Sequence, residues 1–180
     1  LAQSFDTNDY LEKWGGQANV NPLEGEGYDF TDTGIETTSN PMIWTALHSG
    51  DGFFGNELLD HFGQIYHIYV FSPEEREARL RFRHDDDIAI WSNGAVAARR
   101  DGWDGGVERH HDFILNAGVN SMTLRFEESY GPNYLATRIT DRNDIPYSDL
   151  SYALSVPIVL PQAYAFRSLP GSYELWTPLE

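Results

Sequence analysis

The sequence predicts an all-β protein, a single β-sandwich of jelly-roll type. Three observations carry this expectation. Turn signals recur at regular spacing through the middle of the chain, as short antiparallel strands require. Apolar and polar residues alternate in segments such as Arg79–Arg83 and Ile88–Trp91. The segment Gln64–Phe71 is dense in Ile, Tyr, Val and Phe, the residues that favour a pleated surface. At 180 residues, with 41% hydrophobic and 14% aromatic content, one domain with a sizeable core is the natural reading.

The elements follow in order. Residues 1–38 are rich in Asp, Asn, Glu and Gly without a clear period, so the segment should be irregular, with one short helical turn near Tyr10–Trp14. Pro41–Leu47 reads as a strand around Trp44, and Ser49-Gly50-Asp51-Gly52 as a turn. Gln64–Phe71 should be a central strand buried on both faces. Ser72-Pro73-Glu74-Glu75 turns the chain. In the strand Arg79–Arg83, Leu80 and Phe82 point inward and the three arginines outward. Ile88 and Ile90 share one face of the next strand, with Ala89 and Trp91 on the other. Asn93-Gly94 is a strong hairpin signal, because a type I′ turn needs positive φ at both central residues. Asp101–Gly106 forms a loop, followed by strands at His111–Leu115, Met122–Phe126 and Tyr134–Thr140. The tail from Asp141 holds five of the nine prolines and should wrap over the sandwich in extended form, with one strand at Tyr152–Val159. The expected organisation is one domain over 1–180, with its core at about 41–140 and a C-terminal wrap over 141–180.

Charge and composition exclude several function classes. The net charge is −16 and Lys13 is the sole lysine. Nucleic acid is not an expected partner, since phosphate binding needs a basic footprint. Such an acidic surface keeps a protein soluble and can hold cations, and salt screens its self-repulsion. A saline or extracellular setting is therefore expected, with plain solubility as the alternative account. The absence of cysteine excludes disulfides, cysteine-based zinc sites and thiol catalysis. The apolar runs are too short for a membrane span. The chain begins Leu1-Ala2 without methionine, which reads as a processed or excised piece.

The most informative stretch is His84-Asp85-Asp86-Asp87-Ile88-Ala89-Ile90-Trp91-Ser92-Asn93-Gly94. Three adjacent carboxylates repel one another unless a cation or a set of hydrogen-bond donors sits among them. An alternating strand and a hairpin follow at once. This stretch resembles the Asp-Asp-Gly motif of the protective-antigen-like lectin domains, roughly Ser-Asp-Asp-Gly-x-x-x-Trp-x-Asn-Gly, and looks like related sandwich modules attached to bacterial polysaccharide-degrading enzymes. Ser72–Arg76 and the strand Ala78–Phe82 match the region before it, and Leu115-Asn116-Ala117-Gly118-Val119-Asn120 looks like the family's Leu-x-Ala-Gly-x-Asn turn. The resemblance covers about Trp44–Ile139. Asp87 stands where the family usually has glycine. The resemblance implies a β-sandwich that binds sugar through a calcium held by adjacent aspartates, onto which Asp85 and Asp86 fall.

The candidate metal site is thus Asp85, Asp86 and Asp87, for calcium, which takes six to eight oxygen ligands. The alternative is structural, with one aspartate capping backbone amides and another pairing with an arginine. Asp6–Asp9 and Asp141–Asp144 fail the EF-hand pattern. His110 and His111 point to opposite faces if they lie in a strand, so only one could join His84 at a metal, and a hydrogen-bonded histidine is the simpler account. Trp103, between Gly102 and Asp104-Gly105-Gly106, is the candidate sugar platform, with Asp104, Asp85, Asp86, Asn133 and Tyr134 as ligand contacts. The competing account has Trp103 folding back over the sandwich. Trp14, Trp44, Trp91 and Trp176 read as packing residues.

No nucleophile elbow or phosphate-cradling loop appears. A non-catalytic module that binds a polysaccharide or oligosaccharide is therefore expected, secreted and linked to a catalytic domain. A small β-sandwich lyase or hydrolase and a ligand-free spacer remain the alternatives.

Overall fold

A computed structural model describes residues 9–34, 36–37, 39–46, 53–54, 62–103, 106–131, 134–155, 168–169 and 172–173. Among them are a 3-10 turn at Glu12–Trp14 and the short strands β1 (Gly27–Tyr28), β2 (Met42–Ile43) and β3 (Phe53–Phe54). The long strands follow: β4 (Phe62–Ser72), β5 (Arg76–Asp85), β6 (Asp87–Ser92), β7 (Ala95–Arg100), β8 (Arg109–Leu115), β9 (Gly118–Glu128) and β10 (Tyr134–Thr140). The chain adds β11 (Ser151–Ala153), β12 (Ser168–Leu169) and β13 (Ser172–Tyr173). The fold is all-β, as expected. A four-stranded sheet in the order β3-β10-β5-β8 packs on a five-stranded sheet in the order β11-β4-β9-β6-β7.

Every connection from β4 to β11 crosses from one sheet to the other, except the β6–β7 hairpin. The core lies between the sheets. Ala78, Leu80 and Phe82 of β5, with Leu135 and Ile139 of β10, meet Ile88 and Ile90 of β6 and Met122, Leu124 and Phe126 of β9. Burying each large side chain contributes roughly 1.5–3 kcal/mol. The alternation read from the sequence in β5 is present, and the outward Arg79 and Arg81 pair with Asp112 and Glu108. The strand β6 is buried on both faces, as its sequence implied.

The β4 strand is less buried than expected. Its residues from Ile65 to Ile68 are half-buried and Phe71 is exposed. Along one side it has only the three residues of β11 as a neighbour. The expected strand at 41–47 shrinks to Met42–Ile43, and it pairs with β1 rather than with either large sheet. The expected strand at 152–159 begins at Ser151 and ends at Ala153. Residues 156–160, Leu47 and Trp176 lie outside the described residues.

The N-terminal segment carries more structure than its composition suggested. Leu11, Val20 and Tyr28 form a second small core with Trp14, Phe30 and Trp44, set against Ile65 of β4. Trp14 stacks on Tyr28 with ring centroids 4.7 Å apart. The Asp9 carboxylate accepts the amides of Leu11 and Gln17, which fixes the turn between them. Arg125 of β9 is fully buried, with its guanidinium 3.9 Å from the ring centroid of Tyr10 and ion-paired to Glu127.

Candidate functional site

The crossing connections gather two sets of loops at opposite ends of the sandwich. One end carries the Ser72–Arg76 connection, the Asn93-Gly94 hairpin and the 116–117 turn. The other end carries the β5–β6, β7–β8 and β9–β10 connections, and the Asp85–Asp87 run lies there.

Each aspartate of the run has a different task. Asp85 ends β5 directly opposite Tyr134 at the start of β10. Asp86 lies between the sheets. Its amide donates to the Glu127 carbonyl at 3.2 Å, and its Oδ2 accepts the Ser129 amide at 3.0 Å. Asp87 starts β6 opposite Glu127, and its Oδ1 accepts the Gly102 amide. The Asp85–Asp86 peptide bond is cis. Beneath the run, fully buried His84 places Nδ1 2.5 Å from the Asp86 carbonyl oxygen.

Carboxylate oxygens of Asp85, Asp86 and Glu128 all lie within 4.8 Å of one another. Glu128 is 3% exposed and enters from the end of β9. Three carboxylates at this spacing form an oxygen-only donor set of the kind hard divalent cations take. Asp87, expected as the third member, is not in the cluster. It begins β6 and spends an oxygen on Gly102, and Glu128 stands in its place. Burial raises the Asp87 carboxyl above the ordinary aspartate range, against the lowering effect of the Gly102 amide, and the charges of Glu127, Asp101 and Asp86 add to the rise. The Asp87 side chain therefore ties down the β7–β8 loop.

That loop presents Trp103, which is 65% exposed, so the alternative in which it folds back over the sandwich does not hold. Tyr134 is half-buried, and its hydroxyl packs so closely on Gly106 that a Cβ there would collide with it. Tyr134, Gly106, Trp103 and the aspartates thus share one end of the molecule. Asp104 and Asn133 lie outside the described residues. His110 and His111 are on β8 opposite Arg81 and Leu80, and neither joins His84 in a ligand cluster among the described residues.

Two residues of this end escaped the sequence reading. Glu128 had a signal: Met122, Leu124 and Phe126 alternate inward, and the next inward position is a glutamate. Tyr130, 72% exposed, follows the Ser129 amide that Asp86 holds. Its signal was an aromatic next to a glycine in a loop, as at Gly102-Trp103.

No family model matches the chain, and no curated protein matches it. Solved structures with a similar fold include the PA14 domain of the antifreeze protein MpAFP, at 15% identity and a TM-score of 0.45, with 56% of each chain covered. A PA14 sugar-binding domain from an RTX adhesin is similar at 18% identity and a TM-score of 0.39, over 63% of this chain and 51% of that one. The match spans about half the length of these structures. Among the described residues no helix is long and apolar enough to cross a membrane.

Proposed function

We propose that this chain is a carbohydrate-binding domain whose ligand meets the Asp85–Asp87 end, assisted by calcium. The observation that carries the reading is the cluster of Asp85, Asp86 and Glu128 at the same end as an exposed Trp103 on an anchored loop. Asp85, Asp86 and Glu128 would hold the cation, and a bound calcium supplies open coordination positions that sugar hydroxyls can fill. A sugar ring offers an apolar C–H face, and an exposed indole flanked by hydrogen-bonding groups suits it. Asp104, Asn133 and Tyr134 are further ligand contacts in this reading. The adhesin domain is described as sugar-binding, the same ligand class.

The domain is read as non-catalytic, extracellular and joined to a polysaccharide-active partner domain. The test is retention on a panel of polysaccharide affinity gels, with calcium or with chelator, run beside a reducing-sugar assay. Calcium-dependent retention without turnover is expected, and Trp103→Ala should abolish retention while leaving cooperative unfolding intact. Release of reducing ends or unsaturated products favours the lyase or hydrolase alternative. Normal retention of Trp103→Ala overturns the platform.

A further inference from the structure

We infer that the site engages a linear glycan segment of two or more sugar rings, with Tyr130 as a second stacking platform across the start of β6 from Trp103. The inference rests on the sugar-binding reading above. It starts from the strand order, in which β6 lies between β9 and β7. The loop after β9 carries Tyr130 and the loop after β7 carries Trp103. The two loops therefore leave the sheet on either side of the start of β6. Their roots are two strand spacings apart, about 10 Å.

The loops are built alike. Asp86 accepts the amide of Ser129, and the next residue is the exposed Tyr130. Asp87 accepts the amide of Gly102, and the next residue is the exposed Trp103. Each ring also adjoins a glycine in the left-handed region, Gly131 at φ 98° and Gly102 at φ 79°. Adjacent aspartates thus anchor the backbone beside two large aromatic side chains and leave the rings in solvent. Anchored loops preorganise the rings, so little ordering cost falls on binding. Two large exposed rings, rooted on either side of Asp86 and Asp87, are unusual on so polar a surface.

A single sugar held at the carboxylate cluster can face one ring. A chain crossing Asp86 and Asp87 meets both, and the second contact is then intramolecular, so affinity grows with chain length. A terminal-sugar site built on Trp103 alone would show no such growth.

The experiment is calorimetric titration of the 180-residue protein in calcium with glucose-, mannose-, galactose- and xylose-based oligosaccharides of one to six units. In the series that binds, Kd should fall about tenfold or more from monomer to tetramer, the size of one aromatic contact. Tyr130→Ala should remove that gain and leave monomer binding unchanged, Tyr130→Trp should keep it, and Trp103→Ala should weaken monomer and tetramer together. Length-independent affinity, or a Tyr130→Ala variant that weakens monomer and tetramer equally or neither, overturns the two-platform inference and leaves the sugar-binding reading standing. No binding in any series, with wild-type stability intact, overturns the sugar-binding reading itself.

Discussion

The two ends of the sandwich are closed by different chemistry. At one end Asn120, fully buried, accepts the Asn116 amide and the Asn93 side-chain N–H through Oδ1, each at 2.8 Å. Its Nδ2 donates to the Asn116 carbonyl at 2.9 Å, with the Gly118 and Val70 carbonyls at 3.3 Å. Asn93 returns an acceptor to the Ser121 amide. Donors and acceptors there answer one another, and every group in the network is neutral. At the other end the groups are carboxylates, which accept and do not donate. Asp86 and Asp87 each hold a loop amide, and Asp86 gathers with Asp85 and Glu128 into one carboxylate cluster. A neutral amide network completes a turn. A carboxylate network completes a turn and concentrates negative charge there.

The contrast can be broken first at the amide end. Asn120→Ala should cost the most stability, about 3 kcal/mol or more, because several buried groups lose partners at roughly 1–3 kcal/mol each. Thermal unfolding should show a fall of about 6–12 °C, the same with calcium or chelator. A loss under 1 kcal/mol would mean that the network is not what holds this end.

The carboxylate end should respond to calcium instead. A ligand at a hundred times its Kd stabilises by about 2.7 kcal/mol, and Asp86→Ala or Glu128→Gln should remove most of the rise. A melting curve indifferent to both calcium and chelator would leave these carboxylates with only their loop-holding role.

pH sharpens the comparison further. Asp87 has a folded-state pKa raised by burial, so the native state holds its proton at a pH where the unfolded chain has released it. Its contribution to stability is present below the unfolded aspartate pKa and is lost as pH rises through the folded value. Asp87→Asn, which keeps an acceptor for Gly102, should therefore raise stability near neutral pH and flatten this part of the profile. Asn120→Ala should leave the shape of the profile unchanged. Denaturant titrations from pH 4 to 7 would read both, and an Asp87→Asn variant less stable at pH 7 would contradict the assignment. The smallest effect on stability is expected from Trp103→Ala, within about 0.5 kcal/mol, as for other exposed positions.

How much of this was legible depends on range. The Asn93-Gly94 turn was readable because it is local, and both residues have positive φ as a type I′ turn requires, at 50° and 81°. The inward Leu80 and Phe82 were readable from alternation, and Asp85 and Asp86 stood out as adjacent charges. Glu128 was missed because it meets Asp86 through the pairing of β6 with β9, which joins residues far apart in sequence. That Asp87 lies outside the cluster was hidden for the same reason, since its oxygen is claimed by Gly102 on another connection. The N-terminal core was missed because Trp14, Tyr28 and Trp44 meet without any regular period.

The repeated crossing between sheets bears on how the chain reaches its fold. Neighbours in the five-stranded sheet come from distant parts of the sequence, as in the pairing of Phe62 with Glu128. Neither sheet can be finished before the chain has supplied strands to both, so loop-closure entropy must be met before most native contacts reward it. High contact order of this kind places folding in the range of milliseconds to seconds. It also makes assembly close to all-or-none: the aspartate end gathers its carboxylates only once β9 has docked beside β6, so the ability to bind there should recover in step with the whole sandwich and not ahead of it.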